Sequence, residues 1–212
     1  MNLYPVSLNV QGRVCLVVGG GAVAERKVSG LLAAGASVVV VSPALTSGLQ
    51  HRAEAGEILW RAAPYGTGDL DGVFLVLACT DRREVNAQIV REASERRLLV
   101  LCADDPGAGS FVSPTVIRRG PLTLTVSTEG GSPTLSAVVR EKLEAEFGPE
   151  WGPLTLLVSK LREIVKTNPT EAARKAAVRR ALSDTETHRL LLEGREEEAE
   201  ARIRVCLSSL SE

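Results

Sequence analysis

The sequence predicts an α/β fold: a Rossmann-type doubly wound parallel sheet, then a small α+β segment and a C-terminal helical domain. Three observations predict it. Short apolar runs, Val14 to Val18, Val38 to Val41, Val73 to Ala78 and Leu98 to Cys102, alternate with stretches of helical spacing. The first run breaks at Gly19-Gly20-Gly21 and resumes as a helix. After Gly109 the pattern changes, first to a half-buried strand and then to helices alone.

Composition narrows the function classes. The 212 residues suffice for one to two domains with a real core. Aromatics are only 3%, so that core must be mainly aliphatic. The formal net charge is −1 and no sustained basic stripe occurs, which argues against nucleic acid as the main partner. No apolar run is long enough to span a bilayer. Met1 to Pro5 lacks the charged and apolar blocks of a signal peptide, so the cytoplasm is the expected compartment. Cys15, Cys79, Cys102 and Cys206 are widely separated. The first three lie in or beside apolar runs and read as small core residues. His51 and His188 have no partner at ligand spacing and read as surface or cap residues, so no resident metal is expected.

The elements follow in order. Gln11-Gly12 is a turn before the first strand, Val14 to Val18, whose unbroken apolar character suits burial on both faces. Ala22, Val23, Val28, Leu31 and Leu32 recur at helical spacing, and Gly35 ends that helix. Ser42-Pro43 stops the second strand. His51 to Glu57 reads as a helix end and turn, Ile58 to Ala63 as a weaker strand, and Gly66 to Asp69 as a loop. Arg82 to Arg97 is predicted as a helix with Asp81 at its N-cap. Phe111 to Ile117 is extended, Arg118 to Pro121 is a turn, and Leu122 to Ser127 alternates as a half-buried antiparallel strand does. Ser132 caps a helix that starts at Pro133 and runs to about Phe147. Gly148-Pro149 and Gly152-Pro153 mark a boundary. Beyond it, a helix carries Leu154 to Val165 and ends at Asn168-Pro169. Two or three more follow, the last bearing Ala199, Ile203, Cys206, Leu207 and Leu210. The expected organisation is a nucleotide-binding domain over 1–112, an added segment over 113–148 and a helical domain over 149–212.

Strand, glycine turn and helix is the context a dinucleotide fingerprint requires. Gly19 would make the tight turn, and Gly21 would let a pyrophosphate approach the backbone. Ala24 is small enough for close helix–strand packing. The N–H groups of Ala22 and Val23, at the positive end of the helix dipole, favour an anion. A tight turn without a ligand is the bland alternative. The second strand ends in Ser42-Pro43-Ala44, with no carboxylate for a ribose and no following Arg for a 2′-phosphate, so NAD is favoured over NADP. Ligands of such sheets lie beyond the carboxyl ends of the strands. The glycine turn, Ser42-Pro43-Ala44, Cys79-Thr80-Asp81 and Ala103-Asp104-Asp105 should therefore converge on one crevice.

Two further stretches carry candidate chemistry. Asp104-Asp105-Pro106-Gly107 could supply a general base, with one pKa raised by burial and by its neighbour, or be an ordinary acidic turn. Ser127-Thr128-Glu129-Gly130-Gly131-Ser132-Pro133 could bind carboxylates or simply cap a helix. Arg118, Arg119 and Arg140 are candidates for anionic substrate groups, against the plainer reading of solvated charges.

Several motifs occur in one order: Gly-Gly-Gly-Ala-Val-Ala-Glu-Arg-Lys at 19–27, Ala-Cys-Thr-Asp at 78–81, Asp-Asp-Pro at 104–106, Ser-Phe-Val-Ser-Pro at 110–114, Ser-Thr-Glu-Gly-Gly-Ser-Pro at 127–133 and Arg-Glu-Lys-Leu-Glu at 140–144. In this the chain resembles the precorrin-2 dehydrogenase family, the N-terminal part of sirohaem synthases. The resemblance covers about residues 3–147. It implies NAD-dependent oxidation of precorrin-2 to sirohydrochlorin, with ferrous iron inserted by some members to give sirohaem. It also implies a homodimer built on residues 113–148 and an acid/base role for Asp104. If iron is inserted, the same carboxylate would take pyrrole protons. The cofactor contacts it implies fall at Gly19, Gly21, Ala22, Val23, Ser42, Pro43, Ala44 and Thr80. Substrate contacts fall at Thr128, Gly130 and Gly131, and some bacterial members carry a phosphorylatable serine at the position of Thr128. Members often have Asn where this chain has Leu101. From this length, the methyltransferase domain that some members carry is not expected within these 212 residues. Two other readings stay open on the residues alone: a non-catalytic NAD-binding regulatory module, and a chelatase whose nucleotide site is a remnant.

Overall fold

The computed structural model of the chain describes residues 2–167 and 170–208. Contacts divide it into two compact units, Met1–Ser113 and Pro114–Glu212.

The first unit alternates strand and helix: β1 (Val14–Val18), α1 (Ala22–Ala33), β2 (Ser37–Val41), α2 (Ser47–Glu54), β3 (Ile58–Arg61), a 3₁₀ turn (Thr67–Leu70), β4 (Leu75–Ala78), α3 (Arg83–Glu95) and β5 (Leu99–Cys102). All strand pairs are parallel, in the order β3-β2-β1-β4-β5. The chain winds outward one way from β1 through β2 to β3, then returns to β4 on the other side. The switch point thus lies between β1 and β4, where the ends of adjacent strands part and leave a crevice.

Side chains of a strand alternate between faces, and here both faces are apolar. Cys15 and Val17 of β1 join Val38, Val40, Leu75 and Leu77 beneath Ala24 and Val28 of α1 and Leu49 of α2. Leu16 and Val18 face the other way and join Val41, Val76, Ala78 and Val100 beneath Ile89 and Ala93 of α3. Each fully buried Val, Leu or Ile contributes about 1.5–3 kcal/mol relative to exposure, so aliphatic side chains alone suffice for this core. Cys15, Cys79 and Cys102 are buried free thiols within it, as expected.

The first unit departs from the sequence reading in three places. Helix α2 begins at Ser47, capped by Thr46 Oγ1, which accepts from the Leu49 amide at 3.3 Å. Only its end was legible, because Leu49 is its sole buried residue and so leaves no apolar period. Asp81 is not the N-cap of α3. Arg82 holds that position, and Thr80 Oγ1 accepts the Arg82 amide at 3.2 Å. The stretch read as a loop at Gly66 to Asp69 is largely a 3₁₀ turn, anchored by Leu70 at 2% exposure.

The second unit holds a hairpin, β6 (Thr115–Arg119) and β7 (Leu122–Val126), then α4 (Pro133–Glu146), α5 (Trp151–Lys160), α6 (Arg162–Thr167), α7 (Glu171–Ser183), α8 (Thr185–Leu192) and α9 (Glu196–Ser208). Arg118 and Arg119, expected in a turn, complete β6. The reversal is confined to Gly120 and Pro121, with Gly120 at φ +55°. Gly152-Pro153 is no boundary but lies in the first turn of α5, where proline is tolerated. A side chain at Gly152 would press on the Arg119 and Gly120 backbone, so glycine lets α5 meet the hairpin turn directly. The single helix expected across Leu154 to Val165 divides at Leu161. Asn168-Pro169 and Leu210 lie outside the described residues. Leu154, Leu157, Leu161, Ala177, Ala181, Leu190, Leu191, Ala199, Ile203 and Leu207 form this unit's helical core.

Candidate functional site

Two of the three glycines after β1, Gly19 and Gly20, are tightly constrained by the backbone around them. Gly19 adopts φ +120°, and a Cβ there would stand 2.7 Å from the carbonyl carbon of Cys79 at the end of β4. Gly20 is tighter still: its Cβ would lie 2.8 Å from Ser42 Oγ and 3.0 Å from the Ala44 carbonyl carbon. The backbone agrees, since the Thr46 amide donates to Gly20 O at 2.9 Å. Gly21 is the N-cap of α1, and a Cβ there would meet nothing within 4 Å. Two glycines are therefore consumed by packing, and the third leaves open space at a helix N-terminus. This is where an anionic diphosphate is favoured by free N–H groups and the dipole. Sequence reasoning assigned the turn to Gly19 and the open approach to Gly21, and missed the closer constraint on Gly20.

A cleft of about 690 Å³ opens over this turn. Its walls are Val18 to Val23, Val41 to Thr46, Pro64, Tyr65, Cys79 to Arg82 and Val85. Gly19, Gly21, Ala22, Val23, Ser42, Pro43, Ala44 and Thr80 therefore share one concave surface. Three of the four strand-end stretches expected to converge do line the cleft. The fourth, Ala103 to Asp105, does not, although Asp104 is tied to the wall through one buried amide. The Ser42 hydroxyl donates to Ala44 O at 2.7 Å, and the Trp60 indole N–H donates to Ser42 O at 3.0 Å. The hydroxyl is thus committed to shaping the loop after β2. That loop presents neither a carboxylate nor a guanidinium of its own to a ribose.

The buried amide is Asn86, one turn into α3 and 1% exposed. Asn86 Oδ1 accepts from the Thr80 amide at 3.2 Å and from Thr80 Oγ1 at 2.8 Å. Its Nδ2 donates to Thr80 O at 3.0 Å and to Asp104 Oδ1 at 2.7 Å. Leaving one of these buried partners unpaired would cost about 1–3 kcal/mol. Nothing in the sequence marked Asn86, since a polar residue at that helical position reads as solvent-facing.

Asp104 also accepts from the Cys102 thiol, Sγ to Oδ1 at 3.1 Å, and Arg83 Nε lies 3.7 Å from Oδ2. Partial burial by itself would raise its pKa. The Cys102 and Asn86 donors, its own backbone N–H and the Arg83 charge outweigh that and hold Asp104 below the usual carboxylate range. The raised pKa expected from the Asp-Asp pair is thus overturned, because donors to the charged form surround one oxygen. Burial and the Asp104 contact push the Cys102 thiol up, so it remains a protonated donor. Burial takes Cys79 up to about 11.

In the second unit, Thr128, Gly130 and Gly131 share the loop between β7 and α4. Thr128 Oγ1 accepts from the Ser132 amide at 3.1 Å and lies 3.2 Å from Ser136 Oγ. Ser132 Oγ caps α4 by accepting from the Leu135 amide at 3.1 Å. Glu129 and Gly130 both take positive φ, at 53° and 81°. Arg119 Nε donates to Phe147 O at 2.8 Å, and Arg140 pairs with Glu144 at 3.0 Å, so both arginines have structural partners. Among the described residues, no group of three His, Cys, Asp or Glu side chains is placed to hold a metal ion. No helix among them is long and apolar enough to cross a membrane.

Comparison with known proteins agrees with this geometry. A family model described as NAD(P)-binding matches residues 6–115, and one for the central part of a sirohaem biosynthesis protein matches residues 119–146. The siroheme synthase of Photorhabdus laumondii is 42% identical over 170 residues, 80% of this chain and 36% of that protein. The siroheme synthase of Xylella fastidiosa is 38% identical over 208 residues, 97% of this chain and 44% of that protein. The chain thus spans less than half the length of these curated relatives. A solved structure, SirC, precorrin-2 dehydrogenase, superposes with a TM-score of 0.74 at 27% identity, covering 95% of this chain and 98% of that one. With the open glycine at Gly21, the anion-favouring start of α1 and a model matching more than half of its length, the chain belongs to the NAD(P)-binding family of the sirohaem biosynthesis proteins.

Proposed function

We propose that this chain is a cytoplasmic, NAD-dependent dehydrogenase that oxidises precorrin-2 to sirohydrochlorin. The observation that carries the proposal is Asp104: a carboxylate held in its charged form and joined through Asn86 to the wall of the glycine cleft. The similarity to SirC, precorrin-2 dehydrogenase, supports the reading, as do the names of the curated relatives. When bound, NAD supplies a two-electron acceptor for hydride. The chain's own residues do the rest. Gly21 and the N–H groups of Ala22 and Val23 at the α1 N-terminus would hold the diphosphate of NAD. The loop Ser42-Pro43-Ala44 carries no guanidinium for a 2′-phosphate, which favours NAD over NADP. Asp104 takes the proton that leaves the macrocycle as conjugation is completed, so each turnover removes one hydride and one proton from substrate.

Thr128, Gly130 and Gly131, which share the loop between β7 and α4, are proposed to meet the substrate carboxylates. Residues 113–148 are proposed as the dimerisation element of a homodimer, with 149–212 as a helical domain. Ferrous iron is proposed as a second substrate, with Asp104 accepting the pyrrole protons that the metal displaces.

The test is an anaerobic absorbance assay with precorrin-2, with and without NAD, for wild type and Asp104→Ala. NAD-dependent formation of sirohydrochlorin that is lost in the variant supports the reaction and the residue. Unchanged turnover in Asp104→Ala removes the carboxylate as base. NAD binding without any turnover in wild type points to a regulatory module instead.

A further inference from the structure

The two oxygens of Asp104 have different surroundings. Oδ1 receives both the Asn86 amide at 2.7 Å and the Cys102 thiol at 3.1 Å. Oδ2 lies 3.7 Å from the exposed Arg83 guanidinium. Asn86 admits one orientation, because the Thr80 amide is a donor and the Thr80 carbonyl an acceptor. Its oxygen must face the first and its nitrogen the second, which leaves one N–H for Asp104. A flipped amide would set oxygen against carboxylate. Every donor and acceptor of this 1%-exposed side chain is thereby used, and its four bonds reach only two residues, Thr80 in the cofactor cleft and Asp104 beyond it.

A buried asparagine in a helix is poorly suited to the backbone there. Apolar packing against α3 does not by itself call for an amide, although the Thr80 N–H and C=O would lose a partner without it. What the amide adds is a fixed length and direction between the cleft wall and the carboxylate. We infer that Asn86 is a positioning residue: it clamps Asp104 by Oδ1, presents Oδ2 as the proton-accepting oxygen, and ties that presentation to Thr80. This rests on the reading of Asp104 as the base. It assigns a role to a residue that does not line the cleft.

The experiment uses the full chain in four forms: wild type, Asn86→Ala, Asn86→Asp and Asp104→Asn. Aspartate carboxyls are labelled with ¹³C, and the Asp104 resonance is assigned as the one missing in Asp104→Asn. Its titration, the pH profile of kcat with precorrin-2, the Kd for NAD and the thermal midpoint are measured for each. Removing a donor to the charged form raises a carboxyl pKa. In Asn86→Ala the Asp104 titration and the acidic limb of kcat should therefore move up together by about one pH unit, with kcat falling at least tenfold. Asn86→Asp keeps the acceptor for Thr80 and sets a second carboxylate against Asp104, so its shift should be larger in the same direction. If Asn86→Ala does not fold, this isosteric variant carries the test. A thermal midpoint that drops while titration and limb stay at their wild-type positions overturns the inference, leaving Asn86 a structural residue only. Wild-type turnover in Asp104→Asn would overturn the proposed base and this inference together. Loss of turnover in Asp104→Asn beside unchanged kinetics in both Asn86 variants would overturn this inference alone.

Discussion

Gly20 and Ala44 are in backbone contact, so close that a Cβ on Gly20 would stand 3.0 Å from the Ala44 carbonyl carbon. The contact joins the β1–α1 turn to the loop after β2, the two segments between which a dinucleotide would lie. Neither side can yield cheaply, because both are backbone and the Thr46 amide bonds to Gly20 O. Gly20→Ala should cost about 1–3 kcal/mol of stability by overpacking. It should also weaken NAD binding at least tenfold, as the two segments are pushed apart.

Gly21→Ala tests the other half of the arrangement. The new methyl meets no protein atom within 4 Å, so the thermal midpoint should hold within a degree or two. The methyl enters the space left for the diphosphate, so NAD affinity should still fall at least tenfold. Calorimetric titration beside a melting curve separates the two glycine variants. Equal affinity in wild type and Gly21→Ala would remove Gly21 from the cofactor site.

Asp104→Ala should lower kcat by roughly 10²–10⁴, the usual contribution of a positioned general base, with NAD affinity nearly unchanged. The pH dependence follows from the direction of its shift. The folded carboxyl titrates below its ordinary value, so the charged form persists through neutral and mildly acidic pH. Wild-type kcat should therefore be flat on the acid side until pH drops below the ordinary aspartate value near 4, and then fall. The stabilisation from its hydrogen bonds follows the same sign, present above the unfolded value and lost as pH falls through the folded one. A limb centred near pH 6 would contradict this environment.

In the helical unit, Asp184 caps α8 by accepting from the Thr187 amide at 3.0 Å, and it also pairs with Arg202 of α9, Nη2 to Oδ1 at 2.7 Å. The Arg202 bonds, acting against burial and helped by Thr187, hold its carboxyl far below the usual range. Asp184→Ala should cost about 1 kcal/mol through loss of the cap. The wild type should lose this contribution only as pH falls below about 4, the unfolded value. Melting curves of both proteins between pH 7 and pH 3 should converge toward the acid end.

Ile203 is fully buried among the helices of the same unit. Ile203→Ala should destabilise that unit by about 2–5 kcal/mol, through lost transfer energy and the cavity left behind. Chemical denaturation monitored by amide exchange should show the loss in residues 151–208.

Local rules made much of this protein legible. Strands β1, β2, β4 and β5 are nearly unbroken apolar runs, and such a run in water has one good solution, burial on both faces. The same holds for Ser132-Pro133 at the start of α4 and for Gly35 after α1, where backbone chemistry leaves little choice. The Gly19 turn and the open Gly21 were readable because glycine alone readily takes a φ of +120° and leaves the backbone unscreened. Helix α2 was only half readable, having one buried residue, and Arg118 and Arg119 were misplaced because strand pairing with Thr123 and Leu122 outweighs their turn-like neighbours. Tertiary structure alone decided the rest. That Gly20 touches Ala44, that Asn86 bridges Thr80 to Asp104, and that Asp104 is held charged rather than protonated depend on groups 2 to 24 positions apart in the chain. Their distances are set when β1, β2, β4 and β5 come into register, and a carboxyl's pKa depends on which donors that register brings within about 3 Å.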